Sequence, residues 1–111
     1  MANFRRFSFD VAGGAIAETF APSGPVWLEG LLVHVSAAPT TSGSFTVTLD
    51  SRLGAAYDTV LYSINLATAS TTDVFNNDLR LLLEAGDALD IAYANADGRT
   101  IGVQLIFQSA T

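Results

Sequence analysis

The amino-acid sequence predicts an all-β domain in which two antiparallel sheets pack as a jelly-roll-like sandwich of seven to eight strands. Apolar and polar residues alternate with a period of two along most of the chain, which is the pattern of half-buried strands. Short turn sequences rich in Gly, Asn, Asp and Pro separate these segments, as expected for a sandwich. No window of eleven or more residues carries an apolar stripe at helical spacing, so long helices are not expected.

Three segments near the middle and the end of the chain show the alternation most clearly. Their predicted inward-facing residues are Phe45, Val47 and Leu49; Leu89, Ile91 and Tyr93; and Ile101, Val103, Leu105 and Phe107. Each segment has a polar or small residue at most of the intervening positions. We therefore predict three strands with one face in a common core.

Further strands are predicted with more irregular patterns. They are a strand around Phe7 and Phe9, a short one at 16–20, a long one at 26–36, one at 59–66 with Val60, Tyr62 and Ile64 inward, and one at 79–83. The long strand keeps its apolar residues on one face only if a β-bulge lies at Glu29-Gly30. The segment 71–77 is expected to hold a helical turn at most.

Composition indicates a single domain, residues 1–111, with few classes of partner. The net charge is -6, and the chain has no lysine and no cysteine. Nucleic acid and anionic membranes are therefore not expected as partners, because both need a basic surface. Only 14% of residues are charged while 50% are apolar, which predicts that other subunits cover part of the surface.

The sequence also indicates where the protein is expected to reside. It has no apolar run of ~20 residues, the length of a membrane span. Asp10 and the Gly13-Gly14 pair interrupt the region in which a signal peptide has its apolar segment. We therefore expect no signal peptide, and a protein that is made in the cytoplasm and either stays there or leaves by cell lysis rather than by secretion.

Catalysis and cofactor binding are not predicted. His34 is the only histidine and is expected on the polar face of its strand, without the activated nucleophile that a catalytic triad needs. Carboxylate pairs such as Asp50 with Asp58, and Asp73 with Asp78, are interpreted as turn and cap residues. Calcium is the alternative for Asp87, Asp90, Asn95 and Asp97, since their oxygens are of the type that it prefers. Our prediction is no enzyme, no cofactor and no metal.

A binding module is the alternative to a structural role. A carbohydrate- or receptor-binding domain of a phage tail or of an enzyme would present a flat platform of exposed aromatic rings. Trp27 and Tyr57 are the candidates, because Tyr62 and Tyr93 fall on apolar faces. Packing in the core or in an interface is the interpretation that we favour for these rings.

The candidate interface consists of apolar residues predicted to point away from the core. Leu32, Leu61, Leu82 and Ile106 occupy otherwise polar faces of four strands, and His34 lies beside Leu32. Four such residues predict either a contact between subunits or a face covered by the chain's own loops. Arg5 and Arg6 form a basic doublet within residues 1–6, which we interpret as either an N-terminal arm that docks on an acidic partner or a frayed end.

The run from Leu83 to Ile91, Leu-Glu-Ala-Gly-Asp-Ala-Leu-Asp-Ile, is typical of jelly-roll proteins before the penultimate strand, where the glycine permits a tight corner that the aspartate caps. Together with its length, strand pattern and lack of a signal peptide, the chain resembles the small head decoration, or cement, proteins of tailed bacteriophages. The resemblance implies a structural virion protein, a homotrimer on the capsid surface. Its partners would be further copies of itself and the major capsid protein. The resemblance assigns no role to any individual residue of this chain.

Overall fold

The structure is a computed structural model that describes residues 4–110 of the 111-residue chain. These residues form two antiparallel sheets. The strands are β1 (Phe4–Ala12), β2 (Ile16–Phe20), β3 (Val26–Val35), β4 (Ser44–Asp50), β5 (Thr59–Asn65), β6 (Asp73–Asn76), β7 (Leu81–Leu83), β8 (Ala88–Tyr93) and β9 (Thr100–Ser109). A 3₁₀ turn at Ala55–Tyr57 precedes β5, and a one-turn helix, α1 (Leu66–Ala69), follows it.

The two sheets are interleaved in sequence. The first sheet has the order β1-β9-β3-β6, with β7 also paired to β3, and the second has the order β2-β8-β4-β5. The predicted antiparallel two-sheet sandwich is confirmed, with nine strands among residues 4–110 rather than seven to eight. The jelly-roll subtype stays a prediction.

The core lies between the sheets and is built from the alternating residues of each strand. Phe45, Val47, Leu89, Ile91 and Leu105 are fully enclosed. Burying side chains of this size contributes about 1.5–3 kcal/mol each. The predicted inward faces of β4, β8 and β9 are therefore confirmed. Leu49 of β4 and Phe107 of β9 pack at the edge of the core and are only half-buried.

The β-bulge predicted in β3 is present. Leu28 pairs with Phe107 and Gly30 with Ile106, so Glu29 is the additional residue. A Cβ atom on Gly30 would lie 3.0 Å from the backbone oxygen of Asn76 on the neighbouring strand. Glycine is therefore required here by the close approach of two backbones.

A second bulge, in β5, was not predicted and reverses the expected orientation of two residues. Val47 pairs with Tyr62 but Thr48 pairs with Val60, so Leu61 is the additional residue. Leu61 consequently packs against the core, while Val60 is 57% exposed. The prediction that Leu61 points outward and Val60 inward was wrong.

The structure also settles two shorter segments. Residues 4–6 do not form an arm, because Arg5 and Arg6 belong to β1 and pair with Phe107 and Ile106 of β9; residues 1–3 lie outside the described part. Residues 71–77, for which a helical turn was the most that was expected, hold no helix; the short helix α1 lies before them, where the Asn65 side chain caps the backbone N–H groups of Ala67 and Thr68. The strand β6 occupies residues 73–76 instead.

Candidate assembly interface

The surface of interest is the solvent side of the first sheet, called the outer face below. Phe7, Phe9 and Val11 of β1 pack against the core. Because neighbouring residues of a strand point to opposite sides of the sheet, the even-numbered residues of β1 belong to the outer face. The same alternation, applied to the other strands of the sheet, gives the members of the outer face. They are Phe4, Arg6, Ser8, Asp10, Trp27, Leu32, His34, Asp73, Phe75, Leu82, Gly102, Gln104, Ile106 and Gln108.

Strand register arranges these residues in rows across the sheet. One row runs Ser8, Gln104, Leu32, Phe75, and the next runs Asp10, Gly102, His34, Asp73. On the other side of the first row, Arg6 lies beside Ile106, and beyond them Phe4, Gln108, Trp27 and Leu82 form the last row.

Apolar groups are unusually exposed on this face. Phe4 is 64%, Phe75 66% and Leu82 40% exposed, while Trp27, Leu32 and Ile106 are half-buried. Isolated exposed apolar residues are ordinary, but six on one sheet face form the kind of patch that marks a contact with another protein.

A groove of about 520 Å³ lies on this face between β1 and β6. Gly102 forms part of its floor, and a Cβ atom there would meet no other atom within 4 Å. The walls include Asp10 on β1, and Leu32, His34 and Phe75 on β3 and β6. The absence of a side chain at one position of β9 thus leaves a notch in an otherwise continuous surface.

One end of the groove is acidic. Nδ1 of His34 donates to Oδ1 of Asp73 at 2.6 Å, and both side chains are more than 70% exposed. This hydrogen bond, with a second from the Thr72 hydroxyl, lowers the pKa of Asp73 below its usual value. Asp10 lies across Gly102 from this pair.

Arginines occupy the other half of the outer face. Arg6 donates through Nη1 to the Gln104 side chain at 3.1 Å. The Arg80 guanidinium lies 5.7 Å from the centre of the Trp27 ring, within the range of a cation–π contact, and 3.7 Å from a Glu29 carboxylate oxygen.

Five of the seven predicted interface residues come together on the outer face, namely Arg6, Leu32, His34, Leu82 and Ile106. Leu61 lies in the second sheet and packs on the core. Arg5 points to the opposite side from Arg6 and lines a second concavity with Phe20 and Pro22.

Sequence reasoning missed Phe4, Trp27 and Phe75 as members of this face. Phe4 could have been found by extending the alternation of Phe7 and Phe9 backwards, and Trp27 by the inward assignment of Val26 and Leu28. Phe75 carried no usable signal, because its four-residue strand is too short to show a period.

A second exposed apolar set lies at the end of the second sheet. Leu53, Tyr57 and Val60 are 57–59% exposed and belong to the β4–β5 connection and the start of β5. Because β5 is an edge strand, this set, called the β5 patch below, borders a strand edge with unpaired backbone groups.

Several of the carboxylates weighed for catalysis or calcium accept hydrogen bonds from other groups of the protein. Asp87 accepts from the backbone N–H groups of Arg52 and Glu84, which caps the corner at Gly86 as predicted. Asp97 accepts from the backbone and hydroxyl groups of Thr40 and Thr41, which lowers its pKa to about 2. Among residues 4–110, no three His, Cys, Asp or Glu side chains gather as metal ligands.

The aromatic platform of a glycan-binding module has little support. Trp27 is half-buried in the first sheet, whereas Tyr57 lies in a connection of the second sheet. Tyr93 is 5% exposed, and Tyr62 packs against the core, as predicted. The two candidate rings therefore belong to different parts of the sandwich.

Comparison of the chain with protein-family models, with curated proteins and with solved structures gives no match. Within residues 4–110, no helix has the length and apolar character to cross a membrane.

Proposed function

We propose that the chain is a structural assembly protein: copies join through the outer face, and the assembled copies bind the outside of a phage capsid and stabilise it. One observation supports the contact between copies through the outer face. The apolar residues of the outer face are in register on neighbouring strands and are covered by no other segment among residues 4–110 that would exclude solvent.

The dimensions of the sandwich are adequate for such a contact. The protein measures 41 × 33 × 22 Å, and the smallest dimension corresponds to two sheets ~10 Å apart with their outer side chains. A broad face is therefore large enough for the roughly 800 Å² per partner of a standard interface.

The larger partner is proposed from the resemblance to head decoration proteins, which implies a homotrimer, the major capsid protein as partner and a location on the virion surface. The crossing of the chain between sheets at most connections agrees with a jelly roll, which combines two Greek keys. The β5 patch stays uncovered when copies meet through the first sheet, so it is available for the capsid.

Stabilisation follows from mass action. A ligand that binds only the assembled shell lowers the free energy of that state relative to the open or broken shell. Many copies, each with a modest contact, raise the temperature or force at which the shell fails.

The test uses heads of the phage that encodes the chain, prepared without this protein. We expect the purified wild-type protein to co-sediment with the heads and to raise the temperature at which they release DNA. Replacing Tyr57 and Val60 with Ser should abolish co-sedimentation, while Ala17→Ser, on the opposite edge strand, should not. Failure of the wild-type protein to bind such heads would overturn the capsid assignment.

A further inference from the structure

On β9, the outer face has a small residue and a large residue at equal distances on either side of Gln104. Gly102, Gln104 and Ile106 point outward at equal spacing, about 7 Å apart because alternate residues of a strand are separated by that distance. Gln104 therefore lies midway between the notch at Gly102 and the bulk of Ile106.

The charges of β1 repeat the same arrangement. Arg6 and Asp10 lie at equal distances on either side of Ser8, which pairs with Gln104. Among residues 4–110, the Arg6 side chain bonds only to the neutral Gln104 side chain, and the Asp10 side chain makes no hydrogen bond or ion pair. Both side chains are exposed, and neither has a partner of opposite charge within residues 4–110.

From these two relationships we infer that two copies pair face to face about a twofold axis that crosses the strands over the row of Ser8, Gln104, Leu32 and Phe75. This inference deepens the proposed function and rests on its statement that copies meet through the outer face. It assigns a dimer rather than the trimer that the resemblance implies.

Such an axis makes the surface complementary to itself. A half-turn about it places Ile106 of one copy over the Gly102 notch of the other, and Leu32 and Phe75 over their own counterparts. The two sheets then pack with their strands nearly aligned, which is one of the two common packings of sheets. A contact of this kind is isologous, as in most homodimers.

The same half-turn pairs opposite charges. Asp10 of each copy faces Arg6 of the other, and His34 faces the row that contains Gly30 and the neighbouring Glu29. The alternative twofold axis, parallel to the strands, would place the acidic row of Asp10 and Asp73 against itself. Like charges in contact disfavour a complex, so charge selects the axis across the strands.

Other charged groups border this contact and leave the selection unchanged. Glu29 accepts from Gln108 and lies near Arg80, and Asp78 belongs to the β6–β7 connection. The arginine half is therefore near neutral, while the acidic half holds Asp10 and the His34–Asp73 pair. The acidic half is still the more negative of the two, so the axis across the strands places it against the less negative half.

Charge reversal tests the pairing, with the association state measured by sedimentation equilibrium. Arg6→Asp and Asp10→Arg should each weaken the dimer by about tenfold or more, because each places like charges in two symmetry-related contacts. The variant with both substitutions restores opposite charges, and we expect its dimer to regain most of the lost affinity. Single variants without effect, or a double variant no better than the singles, would overturn the inference.

Filling the notch gives an independent test. The Cβ atom of Gly102→Leu meets open space in the monomer, but the leucine occupies the place of Ile106 from the partner copy. It should therefore weaken association by about tenfold or more for a clash of this size. Gly14→Leu is the matched control, since a Cβ atom there also meets nothing within 4 Å and Gly14 lies away from the outer face. Circular dichroism would verify that both variants fold.

The outcomes separate the inference from the proposed function. A wild-type dimer that responds as described supports both. A trimer, or a dimer indifferent to these substitutions, overturns the twofold pairing and leaves self-association standing. A wild-type protein that is monomeric at high micromolar concentration overturns both.

Discussion

Leu32 and Phe75 lie directly opposite each other on β3 and β6, and both side chains point away from the core. Their inward-facing neighbours, Val33 and Val74, form the adjacent pair of the same ladder. The sheet is thus apolar on both sides at this point, which is the pattern of a strand pair that is covered on both faces. In the proposed assembly, another copy of the chain supplies the second cover.

Removing apolar groups from the outer face should separate assembly from folding. At protein concentrations low enough that the wild type is a monomer, we expect a variant with Phe75→Ser and Leu82→Ser to unfold in urea at nearly the wild-type free energy. Exposed substitutions usually change it by about 0.5 kcal/mol or less. The same variant should lose self-association in sedimentation velocity. A variant that associates like the wild type would show that this face is not the contact.

The bulge in β5 predicts unequal effects of two adjacent substitutions. Leu61→Ala should lower the free energy of unfolding by about 1–2 kcal/mol, less than a fully buried leucine because Leu61 is half-buried. Val60→Ala should change it by about 0.5 kcal/mol or less. Urea denaturation of both variants checks this, and the reverse ranking would favour the alternation without a bulge.

The two glycines of the first sheet should respond differently to a methyl group. Gly30→Ala forces a Cβ atom against the Asn76 carbonyl oxygen at 3.0 Å, and we expect a loss of about 1–3 kcal/mol, typical of overpacking. Gly102→Ala meets open space and should leave stability at or slightly above the wild type, because glycine is unfavourable within strands. Equal losses at both positions would refute the close approach of β3 and β6.

Asp97 predicts a pH-dependent stability. Its pKa of about 2 in the folded protein lies below the usual 3.8, chiefly because the Thr41 hydroxyl and the backbone N–H groups of Thr41 and Thr40 donate to the carboxylate. The stabilisation is therefore complete above about pH 4–5 and is lost as the pH falls toward 2. The urea midpoints of wild type and Asp97→Ala should differ clearly at pH 7 and converge at pH 2. A constant difference between the two proteins would contradict this linkage.

The fold was predictable from sequence where the alternation is long and unbroken. The strands containing Phe45, Ile91 and Val103 show it over five or more residues, and a half-buried strand is the simplest structure that satisfies such a pattern. The bulge at Gly30 was also predictable, since the apolar residues on either side fall on one face only if one residue is added.

The other features of the fold and of the candidate interface depended on pairing between distant strands, which the local sequence pattern does not contain. The bulge at Leu61 is visible only in the register of β5 against β4, because Val60 and Leu61 are both apolar. Arg5 and Arg6 gave the appearance of an arm, but their backbone pairs with residues of β9 that lie 100 or more positions later. For the same reason, the notch at Gly102 and the neighbours of Asp10 emerged only once the strand order was known.

Trp27, the only tryptophan, lies on the outer face and reports directly on whether that face is covered. The measurement is Trp27 emission and acrylamide quenching over a dilution series from high to low micromolar protein, beside sedimentation of the same samples. We predict a blue-shifted, protected emission that becomes red-shifted and quenchable as the oligomer dissociates, while the Phe75→Ser and Leu82→Ser variant shows the exposed signal throughout. Emission and quenching of the wild type that stay constant across the transition would contradict the account.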